Sequence, residues 1–557
     1  MKKICIYVIG VISLYCSFFV STWSDETKLV ENKKTSGKDT KKIFLEEYGK
    51  YGNKKQFDLR FLGQKEKGWT LGVPREKTEL WIDENGTLYY LAKQLEHELP
   101  INVSEKQDGS IQIETGEKIF HYKKKKVKWK EEVSYLPLEE VAKDLGFEFA
   151  WDRLDNQVHL VGNVEGKLPK AYDLRKENRV TSVGDQGYNG SCWAFASLGA
   201  LESGLLPKEY VEFSTEHMRY YNGFYDTEEG GAYPMAVAYL ASWKGPVLER
   251  DIRNSSSGTP ISASKHLEEA IFIQAKDYDS IKKAVFLYGG VETSIFTSLK
   301  SANSWSKYYN QTTNSYYFNE HFDANHDVVI VGWDDDFPKE NFTIQPEKDG
   351  AFLCKNSWGE SFGEDGYFYI SYEDTVVGTN NVVYTKVAPV TNYDHIYQTD
   401  ELGWVGQIGY GKEYAWFANV YETKGKERLK AVSFYATMPK TSYEVYVVPQ
   451  FQSEVSFANK RKVAEGFVKE AGYYTVDFSN SIKLKKGQKY GVVVYISSSN
   501  TTQPVAVEYE KDVHTSTFST GEGEGYISLY GDDWTRIETK QNSNICLKAF
   551  TVDDKGR

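Results

Sequence analysis

Four residues whose types can together break an acyl bond stand at readable positions. They are Cys192 in "GDQGYNGSCWAF", His326 in "NHDVVIVGW", Asn356 in "CKNSWGESFGEDGYFYI", and Gln186 six residues before the cysteine. A thiol attacks a carbonyl carbon usefully only as thiolate, so near pH 7 its pKa must be lowered. Two devices for that are legible. Gly184, Gly187 and Gly190 permit a sharp loop, and "CWAFASLGALES" has the composition of a helix opening at the cysteine, whose N-terminal dipole favours an anion. The second device is a histidine. Of the nine in the chain, His326 begins an apolar run that reads as a buried strand able to hold the ring rigid. The ring needs an acceptor on its other nitrogen, and Asn356, at the end of a second apolar strand, offers one, with Trp358 placed to shield that bond from water. Gln186 can aim its amide at a carbonyl oxygen as it becomes negative, beside the Cys192 backbone N–H.

These residues must be carried by more than one domain, because 557 residues exceed a single core. A hydrophobic content of 40% with 41 tyrosines argues for folded structure, and a net charge of −12 without a dominant basic face argues against nucleic acid as a partner. The N-terminus, "MKKICIYVIGVISLYCSFFVSTWSDE", reads as a signal peptide over residues 1–24, so the protein is expected to be secreted or at the cell surface. Membrane contact is expected only through that segment if it is uncleaved. Residues 25–66 read as a polar linker or pro-region. Residues 67–163 carry a weak repeat, in which Leu95, Leu99 and Ile101 match Val141, Leu145 and Phe147 at an offset of 46, and read as a small α+β module. Helix-like segments followed by alternating strands fill 165–388. Recurrent short strands over 392–557 read as an all-β sandwich.

"SYLPLEEVAKDLGFEFAWDRLDNQVHLVG" resembles the module at the N-terminus of copper amine oxidases that is fused to many exported bacterial proteins. No copper site is expected there, because His97, His121 and His159 are isolated. The ordered blocks "DQGYNGSCWAFA", "NHDVVIVGW" and "KNSWGESFGEDGYFYI", flanked by "KAYDLR" and "EGGAYPMAVAYL", resemble the papain family of cysteine proteases. The resemblance implies a catalytic domain with a helical half and a β-rich half. It implies Cys192 as nucleophile, His326 as base and acid, Asn356 as its orienter and Gln186 as oxyanion donor. It also implies a substrate cleft lined by Gly230, Gly231, Tyr233 and Trp358. The long loop after His326 and the β-rich tail resemble bacterial members with a C-terminal lectin-like domain. Two departures stand out: Asn189 occupies the place of a cleft disulfide partner, and no inhibitory prosegment pattern precedes Lys170.

The expected function is an exported cysteine endopeptidase acting through an acyl-enzyme, with a protein or peptide substrate and no cofactor or metal. Contact with a cell-wall polymer or glycan stays open. So do two alternatives: a surface adhesion protein with secondary protease activity, and a transpeptidase or amidase acting on wall peptides. Cys354 and Cys546 read as buried thiols, and Trp404 and Trp416 as either sugar platforms or core. Asp334, Asp335 and Asp336 read as a solvated acidic loop rather than a calcium site.

Overall fold

The computed structural model describes residues 53–554 except 63–77, 84–86, 99–100, 116–117, 131–132, 146, 153–156, 162–167, 207–208, 226–229, 255–260 and 521–523. The expected signal peptide and the first part of the expected linker lie outside those residues. Two compact units are distinguished, one preceding Lys170 and one spanning Lys170–Arg557.

In the first unit a seven-stranded sheet runs, in spatial order, Lys128–Lys130, Val133–Pro137, Leu88–Leu91, Thr78–Ile82, Asn53–Leu62, Gln157–Val161 and Glu148–Asp152. Asn53–Leu62 corrects the expected linker. It is a central strand, parallel to Gln157–Val161 and antiparallel to Thr78–Ile82. The repeat extends further than the three matched pairs. Leu88–Leu91, Leu95–Glu98, Asn102–Glu105 and Ile111–Glu114 recur 46 residues later within Val133–Pro137, Leu138–Asp144, Glu148–Asp152 and Gln157–Val161. Leu95, Ile101, Val141, Leu145 and Phe147 meet in one core. Of the lysine run, Lys128–Lys130 forms an outer strand of the sheet and Lys124–Lys126 an exposed 3-10 turn. Charged side chains there disfavour edge-to-edge pairing.

The second unit is organised by one continuous sheet of thirteen strands. Its catalytic half contains Val291–Ile295, His326–Asp334, Ala351–Lys355, Tyr367–Ser371 and Asn381–Pro389, against which the helix Cys192–Leu205 packs. That helix is buried on nearly every side, so it is apolar all round rather than amphipathic. Its small residues allow close approach: a Cβ on Gly199 would stand 3.4 Å from Val329.

The sheet does not stop at the domain boundary. Lys265–Ile273 pairs with Asn381–Pro389 on one side and with Ala471–Leu484 of the C-terminal domain on the other, in the register Ala270↔Tyr473 and Ile271↔Gly472. Glycine is required at 472, because a Cβ would stand 2.2 Å from the Ala270 carbonyl oxygen. Beyond it, Glu427–Ala436, Leu547–Asp553 and His395–Tyr397 complete one layer of the sandwich. A six-stranded sheet forms the other, with Phe434 meeting Phe417 and Tyr443 between the layers.

The junction carries a pH-sensitive contact. The His266 ring lies flat on Trp243 at 3.6 Å, and Trp243 stacks on Phe550 of the C-terminal domain. His266 is 5% exposed, and burial pulls its pKa down to about 4. The neutral ring contributes stability that is complete above the unfolded value near 6.5 and is lost as pH falls toward 4, by about 3 kcal/mol. The melting temperature of the full chain is expected to fall over that window, and His266→Phe should make the fall shallower.

Candidate active site

The four chemistry-bearing residues arrive from three elements. Cys192 is the first residue of the buried helix, His326 the first of its strand, and Asn356 follows Ala351–Lys355 directly. Gln186 lies in the preceding turn. The histidine and asparagine strands are hydrogen-bonded neighbours, with Val329 opposite Lys355, which brings the strand start and the strand end to one edge.

The asparagine fixes the ring. His326 Nε2 lies 2.8 Å from Asn356 Oδ1, and the same oxygen accepts from the Ser357 backbone N–H at 2.8 Å. Two donors on one atom settle that it is the amide oxygen, so Nε2 carries hydrogen and Nδ1 is the free basic nitrogen. Trp358 covers the pair with its ring centroid 4.9 Å from that of His326. Asn356→Ala is expected to lower kcat/KM by 10- to 100-fold, roughly the loss typical of removing a residue that orients a functional imidazole. The check is peptide hydrolysis with melting temperature measured alongside.

Electrostatics near the sulfur pull in two directions. Cys192 keeps part of its surface open as a residue, but its sulfur is enclosed. Burial, with the Asp327 and Glu292 carboxyls behind it, pushes the thiol up to about 12, whereas the backbone N–H groups of Asp327 and Trp193 favour the anion. Burial likewise lowers His326 to about 4 against the bond to Asn356. A lone charge on either is disfavoured. The thiolate therefore needs an imidazolium beside it and the helix N-terminus beneath it.

The Gln186 amide is held at both ends. Its Oε1 accepts from Ser357 Oγ at 2.6 Å, and its Nε2 donates to the Asn189 carbonyl at 2.7 Å, which leaves one amide hydrogen for an oxyanion. The glycine turn is also bound to the asparagine loop by Gln186 N–H to Ser357 O at 2.8 Å and Gly359 N–H to Gly184 O at 3.0 Å. Sequence reasoning passed over Ser357, although it lies inside the "KNSWG" block and ties both Gln186 and Asn356.

Two of the expected cleft residues lie against the turn and helix start that carry Cys192. A Cβ on Gly230 would stand 3.2 Å from the Gly190 carbonyl oxygen, and one on Gly231 2.7 Å from the Trp193 indole. Tyr233 opens the helix Tyr233–Ala241 and packs edge-on to Phe272. Behind the site, two buried acids were not anticipated. Glu292 accepts from Ser197 Oγ at 2.8 Å and Tyr384 OH at 3.1 Å, and its pKa is raised by burial and by Asp327. Cys354 and Cys546 are buried free thiols, and His321 is exposed. Asp335 accepts from Lys282 and Tyr372, and Asp336 pairs with Lys170. No cluster arranged to hold a metal occurs among the described residues.

Comparisons with known proteins agree with this fold. Residues 168–387 match the papain family cysteine protease model, and 396–551 the lectin like domain model. Cathepsin K of Mus musculus is 30% identical over 222 residues, covering 36% of this chain and 60% of the relative. Cysteine proteinase 15A of Pisum sativum is 28% identical over 242 residues, covering 41% and 64%. The chain thus spans less than two thirds of the length of these curated relatives. A crystal structure of the cysteine protease and lectin-like domains of Cwp84, a surface layer associated protein of Clostridium difficile, is 27% identical. It superposes with a TM-score of 0.61 over 70% of this chain and 90% of that one. A second structure of the clostridial cysteine protease Cwp84, after propeptide cleavage, gives 0.59 over 69% and 99%, also at 27% identity. The chain therefore carries a papain-family cysteine protease domain at residues 168–387, continued through a shared sheet into a lectin-like domain at residues 396–551.

Proposed function

We propose that this protein is a cysteine endopeptidase that cleaves peptide bonds through a thioester. The observation that carries the reading is His326 Nε2 at 2.8 Å from Asn356 Oδ1, because it leaves Nδ1 as the nitrogen available to the Cys192 thiol. The thiol proton passes to His326, and the sulfur attacks the scissile carbonyl carbon. The developing oxyanion meets the Cys192 N–H and the second hydrogen of the Gln186 amide. The imidazolium protonates the leaving amine, which departs with the C–N electron pair. His326 then takes a proton from water, the hydroxide displaces the sulfur, and the acid product and free thiol return.

The protein is further proposed to be exported, with residues 1–24 as the signal and the first unit as a spacer module of the copper amine oxidase N-terminal type. The surface-layer association of the similar Cwp84 supports a location outside the cell. Glycan stacking on Trp404 or Trp416 receives no support. Trp404 is 9% exposed and lies against Phe272, and Trp416 is covered by Lys460 at 4.9 Å. A fluorogenic peptide assay under reducing conditions tests the reading, with mass analysis of the products showing whether water or an amine receives the acyl group. If wild-type protein cleaves no peptide and no peptidic epoxide labels Cys192, the peptidase assignment fails.

A further inference from the structure

A cleft wall that must position a peptide within about half an ångström needs a rigid support behind it. In this chain the wall segment Gly230–Tyr233 abuts the nucleophile turn, yet Asn189 stands where a cross-link is expected, and Cys192, Cys354 and Cys546 are free thiols. The support comes from the lectin-like domain, at two places on either side of that segment.

Ahead of it in sequence, the Tyr225 backbone N–H donates to the His514 carbonyl at 2.8 Å, and Thr517 Oγ donates to the Gly223 carbonyl at 2.7 Å. Behind it, Trp404 stacks on Phe272 with centroids 5.9 Å apart, and Phe272 meets Tyr233 edge-on at 5.5 Å. Trp404 and Tyr435 of the lectin-like domain enclose, with Tyr233, Pro234, Val237 and Phe272, a gap of only about 10 Å³. That is room for at most one water, so the three rings have little freedom to shift. The backbone next to Trp404 is held just as closely. Gly403 has φ +64, and a Cβ there would stand 3.2 Å from Ala238 in the helix that Tyr233 opens, while Lys244 pairs with Glu401 at 2.9 Å.

We infer that the lectin-like domain is the rigid back of the substrate cleft, and that Trp404 is a positioning residue that sets Tyr233 through Phe272. The domain thereby takes the mechanical place of a covalent tie, and substrate selection depends on a residue more than 200 positions from the nucleophile in sequence (404 − 192 = 212). The inference rests on Cys192 being the nucleophile of a peptide-binding cleft, but its test does not need turnover.

The test uses the full chain and two thiol reagents: iodoacetamide, which needs only the sulfur, and a peptidyl chloromethyl ketone, which also needs the cleft wall. Trp404→Ala is expected to lower the peptidyl reagent's labelling rate about tenfold, as expected when a positioning contact is displaced by less than 1 Å. Iodoacetamide labelling should stay within twofold. In hydrolysis the same change should appear in KM rather than kcat, and it should narrow the preference between peptides differing in the side chains before the cut. Trp404→Phe, which keeps a ring on Phe272, should recover most of the selectivity, and Thr517→Ala should give a smaller loss in the same direction. If both reagents slow in parallel with the folded fraction measured by thermal melting, Trp404 is a core residue and the inference is overturned. An unchanged ratio of the two rates in folded Trp404→Ala also overturns it. Absence of wild-type hydrolysis, with the ratio still shifted, would overturn the peptidase reading and leave this one standing.

Discussion

Replacing Cys192 by alanine is expected to remove peptide hydrolysis by about 10⁶-fold in kcat, roughly the loss seen when the nucleophile of a comparable triad is deleted. The size follows from the kind of step lost. Without sulfur no thioester forms, so Gln186, the Cys192 N–H and His326 can act only on direct attack by water. The fold should survive, because the position is the first of the helix Cys192–Leu205, and alanine is the best helix former. The backbone N–H groups of Trp193 and Asp327 lose the sulfur they point at, a modest loss for two weak contacts to sulfur. Melting temperature is thus expected to change by no more than a few degrees while activity disappears. Residual hydrolysis above about one thousandth of wild type in a pure preparation would assign the nucleophile elsewhere.

How far the sequence anticipates this site depends on the range over which each feature is determined. Cys192, His326, Asn356 and Gln186 were legible because each lies in a short block whose local pattern, a glycine turn before a helix or a polar residue ending an apolar strand, specifies its own conformation. The 46-residue repeat was legible for the same reason, and the structure repeats it element by element. Asn53–Leu62 was missed because Lys54, Lys55 and Arg60 dominate its composition, although Phe57, Leu59 and Phe61 alternate at the strand period.

The features that escaped are tertiary. Nothing near Gly472 announces that its strand will pair with Lys265–Ile273, two hundred residues earlier in the chain. The run that His326 begins reads as a buried strand, but nothing in it or in "VETSI" announces that Asp327 and Glu292 are themselves buried, at 8% and 2% exposed. Strand alternation turns both acids toward the buried helix, where Ser197 supplies a partner that no sequence period reveals. Trp404 could be read equally as a sugar platform or as core, since an aromatic in a β-rich domain suits both, and only its stacking on Phe272 decides.

Those buried acids give the second large effect its direction. His326→Ala is expected to abolish hydrolysis to an extent comparable with loss of Cys192, because a triad acts as a unit and its single deletions are not additive. Cys192 remains in this variant, so its thiol can be titrated by alkylation. On the proposed mechanism the wild-type imidazolium stabilises the thiolate, so labelling by iodoacetamide should proceed readily between pH 6 and 8. Without the ring, the sulfur keeps the Asp327 and Glu292 carboxyls and much of the burial that hold its pKa up, against only the helix N-terminus and two N–H groups. The fraction present as thiolate then rises only in the alkaline range. The alkylation profile of His326→Ala should lose its neutral plateau, climb steadily into the alkaline range, and at pH 7 fall at least roughly 100-fold below wild type. Removing the charge behind the sulfur should work the other way: Asp327→Asn in the His326→Ala background is expected to move that limb back toward neutrality. A neutral plateau that persists in His326→Ala would show that the helix terminus alone activates Cys192, and that the histidine serves only the later proton transfers.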